Sequence, residues 1–153
     1  MTLDGTRDGP DETQVSQLSL AEIKVQVKQI ETELAEFVPG EIVQGVEQQT
    51  GGSLLSCGTG VSWASHTMVR VSETPDFDAM SRRIQASWPR AADFSFEMRG
   101  SPGDRHRIIL SGEWVQNYFI EMVEGDVQVA SFGPCFELVP ERDGHAWDIS
   151  AEE

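Results

Sequence analysis

The sequence lacks the residue patterns that mark an enzyme active site. Its two cysteines, Cys57 and Cys135, have no C-x-x-C companion, and the three histidines do not stand at metal-ligand spacing. The loop S-P-G-D-R-H has neither the glycine pattern nor the lysine of a phosphate-binding loop. The sequence therefore predicts no catalytic residue, no metal site and no cofactor.

Basic residues are also scarce. Eleven lysines and arginines stand against 26 aspartates and glutamates, which makes the formal net charge -15. A negative field repels the phosphates of nucleic acids and anionic lipid headgroups, so neither is an expected partner. A protein, including a basic one, or a small ligand is compatible with this charge. Acidity that serves only solubility is the simpler alternative.

No long apolar run is present. A membrane-spanning helix needs about 18 or more such residues, and the start M-T-L-D-G-T-R-D-G-P is too polar for a signal peptide. Either the chain is cytosolic, or it is a mature domain whose targeting segment has been removed. In the second case it would contact a membrane only through a lipid anchor that this chain lacks.

Composition divides the chain into three parts. Residues 1–16 are rich in Asp, Gly, Thr and Pro and predict a disordered acidic leader or tether. Residues 17–140 alternate between periodic apolar segments and turns, which predicts a single α+β domain. Residues 141–153 predict a loose acidic tail.

A first helix of about 20 residues is predicted from a capping box and an apolar stripe. Ser19 and Glu22 have the S-x-x-E spacing, and Pro39 with Gly40 ends the segment. The stripe consists of Leu20, Ile23, Val27, Ile30, Leu34 and Phe37. It is too short to predict a coiled coil, so packing on the chain's own sheet is favoured and we expect a monomer or a weak dimer.

The remaining pattern predicts a sheet and a second helix. Residues 41–50 are interpreted as a short helix, and Thr74-Pro75 opens a longer helix that Pro89 ends. Strands are predicted at 53–57, 62–72, 94–98, 107–111, 114–123 and 126–132. Short turns such as G-T-G and E-G-D join them as hairpins. The fold class is therefore α+β, with an antiparallel sheet of about five to six strands and two helices packed on one face.

The cysteines allow more than one interpretation. Cys135 follows a strand and precedes Phe136, an apolar setting that does not favour a reactive thiolate. Cys57 also lies at the end of a predicted strand, and a disulfide between the two would stabilise the fold by about 4 kcal/mol. Such a bond persists only in an oxidising compartment. Two buried free thiols in a cytosolic protein are the alternative.

Aromatic residues are few, at 8% of the chain. Trp63, Trp114 and Tyr118 are candidates for the aromatic side chains of a binding surface, where they would stack on an apolar or sugar-like ligand. The alternative, more common for such residues, is that they fill the core.

The succession of motifs resembles a known family. A polar leader, an amphipathic helix, G-G-S-L-L-S-C-G, a tryptophan-bearing strand, a second helix and a hairpin that runs into G-P-C-F cover residues 18–138. This pattern is similar to that of the small, LppA-like cell-envelope lipoproteins of actinobacteria. The resemblance implies an α+β domain on a flexible acidic tether, with Cys57 and Cys135 as a structural pair. It carries over no catalytic residue, and the lipobox of the family is absent here.

Two functional hypotheses follow. The first is a non-enzymatic, extracytoplasmic domain of the lipoprotein type that binds a protein or a small ligand in the bacterial cell envelope. The alternative is a cytosolic acidic binding protein, such as a toxin-immunity protein or a secretion chaperone. The state of the two cysteines discriminates between the compartments.

Overall fold

A computed structural model describes residues 15–101 and 104–144 of the chain. Its helices are α1 (Leu20–Ala35), α2 (Phe77–Ser87) and α3 (Pro140–Asp143). Its strands are β1 (Val43–Gln48), β2 (Ser53–Cys57), β3 (Gly60–Val71), β4 (Ser95–Ser101), β5 (Asp104–Ser111), β6 (Asn117–Val123) and β7 (Asp126–Phe132). Single 3-10 turns precede β1, β4 and β6.

The seven strands of the described residues form one antiparallel sheet. The order is β1-β3-β7-β6-β5-β4, and β2 also pairs with β3. β1 pairs with the second half of β3 and β2 with the first half, so the two short strands follow one another along the same edge. The predicted α+β class with an antiparallel sheet is confirmed. The sheet has one strand more than expected because residues 43–48 form β1.

The core lies between one face of the sheet and the two longer helices. Partners in register share a face because side chains alternate along each strand. One such row, across β3, β7, β6, β5 and β4, consists of Thr67, Val129, Ile120, Ile108 and Met98. The buried side chains of α1 and α2 join this row in a single hydrophobic cluster. Both helices therefore pack on one face, as predicted.

α1 begins where its capping box predicts. The N–H of Glu22 donates to Ser19 Oγ at 3.2 Å, and the N–H of Ser19 donates to Glu22 Oε1 at 2.9 Å. The apolar stripe from Leu20 to Leu34 is buried. The helix ends at Ala35, before Pro39, so it is shorter than the predicted 20 residues.

α2 begins later than its proline suggested. Asp76 is the N-cap: its backbone is extended, and its carboxylate accepts from the N–H of Ala79 at 3.1 Å. Pro75 therefore precedes the helix instead of taking its first position. The helix ends at Ser87 with Trp88 as its C-cap, immediately before Pro89, which was predicted to end it.

The prediction of a short helix over residues 41–50 is wrong. Apart from a turn at Gly40–Ile42, this segment is β1, which pairs with β3 in a register that places Val46 opposite Val69 and Gln48 opposite Thr67. β3 supplies pairing partners from 19 to 28 residues further along the chain, a non-local contribution that overrides a weak local preference. A bulge between Val43 and Gly45 bends the strand.

Two of the hairpin turns agree with the sequence, and one strand begins late. Cys57 pairs with Gly60 across the two-residue turn of the β2–β3 hairpin. Glu124 and Gly125, with φ of 52° and 89°, form the turn between β6 and β7. β6 begins at Asn117 instead of residue 114, because the preceding residues turn into left-handed backbone.

The two ends of the described chain meet near the start of α1. Ser16, at the end of the predicted leader, forms a parallel bridge with Phe136. Asp143, within the predicted tail, accepts from the N–H of Leu20 at 3.1 Å. Residues 1–14 of the leader and residues 145–153 lie outside the described residues. Within the described ranges no helix is long and apolar enough to cross a membrane.

The capping box supplies a test of α1. Ser19→Ala removes the acceptor for the N–H of Glu22, and we expect it to lower the free energy of unfolding by about 1 kcal/mol. Ser87→Ala, at the far end of α2, is the matched control, and its change should stay within about 0.5 kcal/mol. Urea unfolding measures both. Equal effects of the two substitutions would contradict a capping role for Ser19.

Candidate functional site

The two cysteines form a disulfide. The Cα atoms of Cys57 and Cys135 lie 5.9 Å apart, and 78 positions separate them in sequence. The bond joins the end of β2 to the segment that follows β7. Of the two interpretations that the sequence left open, the disulfide is confirmed and the pair of free thiols is wrong.

The segment that contains Cys135 connects three distant parts of the chain. The carbonyl of Cys135 accepts from the N–H of Ser16 at 2.6 Å, and its own N–H donates to the carbonyl of Trp114 at 2.9 Å. Phe136 exchanges two hydrogen bonds with Val61, each of 2.8 Å. The disulfide therefore secures a point where the N-terminal segment, β3 and the β5–β6 connection meet.

Trp114 lies in strained backbone. Trp114 has φ of 53° and ψ of 41°, and Val115 has φ of 52°. A β-branched residue rarely adopts the left-handed region, and residues in such conformations often lie at functional sites. The Trp114 side chain is half-buried, which agrees with its predicted place among surface aromatics.

Beside Trp114 is a small polar crevice of about 140 Å³. Its lining consists of Gln26, Ile30, Arg90, Asp93, Phe94, Glu113, Trp114 and Gln116. Gln26 Oε1 is buried there and has no hydrogen-bond partner among the described residues. An acceptor of this kind requires a donor, and a crevice of this volume has room for several water molecules.

Glu33 and Arg90 form an ion pair at the edge of this crevice. Arg90 Nε lies 2.9 Å from Glu33 Oε1, which also accepts from the indole N–H of Trp88 at 2.7 Å. Partial burial opposes ionisation of the Glu33 carboxyl, but the hydrogen bonds from Arg90 and Trp88 outweigh it and lower its pKa. Arg90 belongs to the loop between α2 and β4, so the pair holds this loop against α1.

The other two predicted surface aromatics, Trp63 and Tyr118, belong to the core. Trp63 is 1% exposed, and an added Cβ on Gly52 would come within 2.5 Å of its ring. Tyr118 is fully buried and donates to Gln116 Oε1 at 3.0 Å. Burial, and next the charge of Glu31, raise the pKa of Tyr118. The prediction of a binding surface is therefore wrong for these two residues, because both point to the helix-covered face.

A buried polar cluster lies under α1, and the sequence interpretation missed it. The carboxylate of Glu31, fully buried, accepts from Ser65 Oγ and Ser131 Oγ at 2.5 Å each and from Thr67 Oγ1 at 2.8 Å. Gln48 Nε2 approaches the same carboxylate at 3.5 Å. All of its partners lie on β1, β3 or β7, so the cluster joins the helix to three neighbouring strands.

The sequence did contain a signal for this cluster. Glu31 lies four positions after Val27 and three before Leu34, so it belongs to the buried stripe of α1. Ser65 and Thr67 lie at every second position between Trp63 and Val69 of β3, so all four side chains are on the same face of the sheet. A carboxylate and hydroxyls at core positions of elements that pack together predict mutual hydrogen bonds.

An apolar groove of about 450 Å³ adjoins the cluster. It lies between the C-terminal half of α1 and β1, at the edge of the sheet, and its base is Thr67. Its lining consists of Thr32, Ala35, Glu36, Val38, Gly40, Val43, Val46, Gln48 and Thr67. The volume is within the range of small-ligand sites, and most of the surface is apolar. Its apolar lining makes it a candidate binding site among the described residues.

The groove is closed at one end by hydrogen bonds between α1 and the end of β1. Gln48 Nε2 donates to the carbonyl of Lys28 at 3.1 Å, and Lys28 Nζ donates to the carbonyls of Gln49 and Thr50 at 2.8 and 3.0 Å. At the other end Val38 and Gly40 belong to the connection from α1 to β1. The remaining opening faces the free side of β1, where Val46 is 58% exposed.

Within residues 15–101 and 104–144 no group of three or more His, Cys, Asp or Glu side chains could hold a metal ion. The polar side chains that line the groove are Thr32, Glu36, Gln48 and Thr67, of which Gln48 and Thr67 contact Glu31. This chemistry suits the binding of a molecule through apolar contact and a few hydrogen bonds.

Comparisons with known proteins give a likeness of fold. No family model matches the chain, and no curated protein is significantly similar. Among solved structures, the chain is similar to the crystal structure of a DUF4853 family protein from Actinomyces odontolyticus ATCC 17982, with a TM-score of 0.53. The alignment covers 80% of this chain and 71% of that chain, at 15% sequence identity. At this identity the likeness shows the fold alone.

The disulfide generates a prediction about stability. Replacing Cys57 and Cys135 together by Ala releases a loop of 78 residues in the unfolded state. We expect the free energy of unfolding to fall by about 4 kcal/mol. Guanidinium unfolding of the double variant, compared with the reduced and oxidised native sequence, measures this change. A double variant as stable as the oxidised protein would show that the bond does not support the fold.

The Glu31 cluster generates a second prediction about stability. Glu31→Ala leaves three buried hydroxyls without their acceptor and opens a cavity, so we expect a loss of about 3 kcal/mol. Glu36→Ala, an exposed acid one turn further along, is the control and should change stability by less than about 0.5 kcal/mol. Urea unfolding compares the two variants. Similar losses would mean that the cluster does not position α1.

Proposed function

We propose that this chain is a non-enzymatic binding domain of the bacterial cell envelope that takes an apolar ligand into the groove between α1 and β1. The observation that carries the proposal is the position of the groove: its apolar walls lie directly over the rigid Glu31 cluster and open at the edge of the sheet. Its ligand is a protein segment or a small molecule.

The disulfide supports an extracytoplasmic setting. Bonds of this kind persist in oxidising compartments and are rare in the cytosol, where glutathione and thioredoxin keep thiols reduced. The bond joins the segment after β7 to the β2–β3 hairpin, and Cys135 is buried, in contrast to the exposed thiols of redox catalysts. The proposed location is therefore the cell envelope.

The resemblance to LppA-like lipoproteins supports the same location. In that family a flexible acidic tether separates the domain from a lipidated cysteine, and residues 1–16 have the composition of such a tether. We propose that attachment to the membrane depends on a lipid on a segment that is not part of this sequence. A gene that encodes an apolar segment and a lipid-modified cysteine upstream of residue 1 would support this.

The charge supports the second candidate, a cytosolic acidic binding protein. A net charge of -15 would suit a basic partner such as a toxin or a secreted substrate. The two candidate locations are distinguished by isolating the native protein under thiol-blocking conditions and determining its mass without reductant. Two blocked thiols would favour the cytosolic candidate, and an intact disulfide the envelope.

The groove itself is tested with a neutral apolar dye. Nile red fluorescence is expected to rise on binding to the full chain, and Val46→Asp should abolish the rise because it puts a charge on the wall of the groove. Val25→Asp is the matched control, since Val25 is 68% exposed on α1 but does not line the groove. Equal fluorescence with the two variants would refute binding in the groove.

A further inference from the structure

β1 carries backbone groups that have no partner among the described residues. Gln49 donates its N–H to the carbonyl of His66 at 2.9 Å, and bonded and non-bonded pairs alternate along an antiparallel ladder. Glu47 therefore bonds to β3, whereas the N–H and C=O of Val46 and Gln48 point away from it. No described strand pairs with β1 on that side. The edge thus offers donors and acceptors at two alternate residues.

The groove lies beside these free groups. The side chains of Val46 and Gln48 lie on the helix-covered face, since their partners across the ladder, Val69 and Thr67, are buried there. A strand that pairs with β1 would place every second side chain on this face, against the apolar wall of α1. It would also cover Val46, which is 58% exposed. Backbone and side-chain recognition therefore coincide at one place.

The edge is already in the conformation that such pairing needs. The side chain of Gln48 bonds to the carbonyl of Lys28 and to Thr67 Oγ1, each at 3.1 Å. The hydrogen bonds from Lys28 to Gln49 and Thr50 restrain the residues that follow β1. A preformed edge lowers the entropy cost of binding, because only the incoming segment has to be ordered.

Charge indicates what kind of segment would bind. Glu36, Glu41 and Glu47 are exposed around β1, and none has an ion-pair partner among the described residues. Arg70 is on the uncovered face of the sheet, against Gly45. A second copy would bring the same carboxylates together on molecules that each carry a net charge of -15. A segment with Lys or Arg would instead be attracted.

We propose that β1 accepts an extended basic and apolar segment of a partner protein as an additional antiparallel or parallel strand. Apolar side chains at alternate positions of the segment occupy the groove, and its basic side chains lie near the exposed carboxylates. Main-chain hydrogen bonds supply affinity in this mode, and the groove supplies specificity. The inference rests on the proposed function, because it names the ligand class of the same groove.

Selection from a displayed library of random short peptides tests the proposal. With the full, disulfide-bonded chain as the target, we expect enrichment of peptides in which Val, Ile or Leu alternate with Lys or Arg. A selected peptide is then synthesised with a fluorescent label, and its binding is measured by anisotropy. Failure to enrich any peptide that competes with Nile red would overturn the proposal.

Two substitutions at one position separate backbone from side-chain recognition. Val46→Pro removes an N–H that points away from β3, whereas Val46→Ala keeps this N–H and removes most of the side chain. We expect the proline variant to bind about tenfold more weakly than the alanine variant, the upper range for one hydrogen bond. Thermal unfolding establishes that both are folded. Equal affinities would contradict strand addition.

N-methylation of the peptide gives an answer that does not depend on any variant. Two peptides are made, one methylated at the odd-numbered amides and one at the even-numbered amides. One of them should lose binding and the other should bind as before, because only every second N–H faces β1. Binding that tolerates both patterns would overturn strand addition. If Nile red still binds and Val46→Asp still abolishes its binding, the proposed function is retained although strand addition is not. If neither the peptide nor the dye binds, the proposed function and strand addition are both refuted.

Analytical ultracentrifugation tests whether a second copy of the chain, instead of a partner protein, pairs with β1. We expect a monomer at all accessible concentrations. A dimer that Val46→Pro abolishes would show that β1 pairs with itself, and would replace the proposed partner segment.

Discussion

The position of α1 on the sheet depends on one buried carboxylate. Glu31 is the acceptor for hydroxyl groups on two adjacent strands, Ser65 and Thr67 on β3 and Ser131 on β7. A buried carboxylate that lost these donors would cost several kcal/mol, so the helix is stable only where the hydroxyls meet it. This placement puts the C-terminal half of α1 over the edge of the sheet. The space left between the helix and β1 is the groove.

Local signals predicted most of the fold. The capping box at Ser19, the hairpin turns and the strands β2 and β7 depend on residues close in sequence, and the structure agrees with them. β1 was missed because its strand conformation depends on pairing with β3, and a segment with Val43, Gly45 and Val46 has no strong preference of its own. The start of α2 was misjudged because Pro75 was expected at the first helical position, whereas Asp76 is the N-cap and the helix begins at Phe77.

The site was predicted only in part, for similar physical reasons. Residue type cannot tell a core aromatic from a surface one, and Trp63 and Tyr118 are covered by helices whose placement is a tertiary property. Trp114 does reach the surface. It does so through left-handed backbone at Trp114 and Val115, and neither residue is a glycine or an asparagine, the types that would have predicted this conformation. The groove depends on the separation of α1 from β1, which follows from the packing of Glu31. The disulfide could be anticipated because Cys57 ends β2 and Cys135 follows shortly after β7.

The bond between Cys57 and Cys135 also determines how the molecule responds to proteolysis. A single cut of the main chain anywhere from residue 58 to residue 134 produces two fragments that remain covalently joined. A cut between β4 and β5 would leave β1–β4 on one fragment and β5–β7 on the other, and the sulfur atoms and the sheet would still connect all seven described strands. A nicked molecule would therefore run as one species without reductant and as two with it. In an environment that contains proteases, such a domain keeps its groove after its chain has been broken.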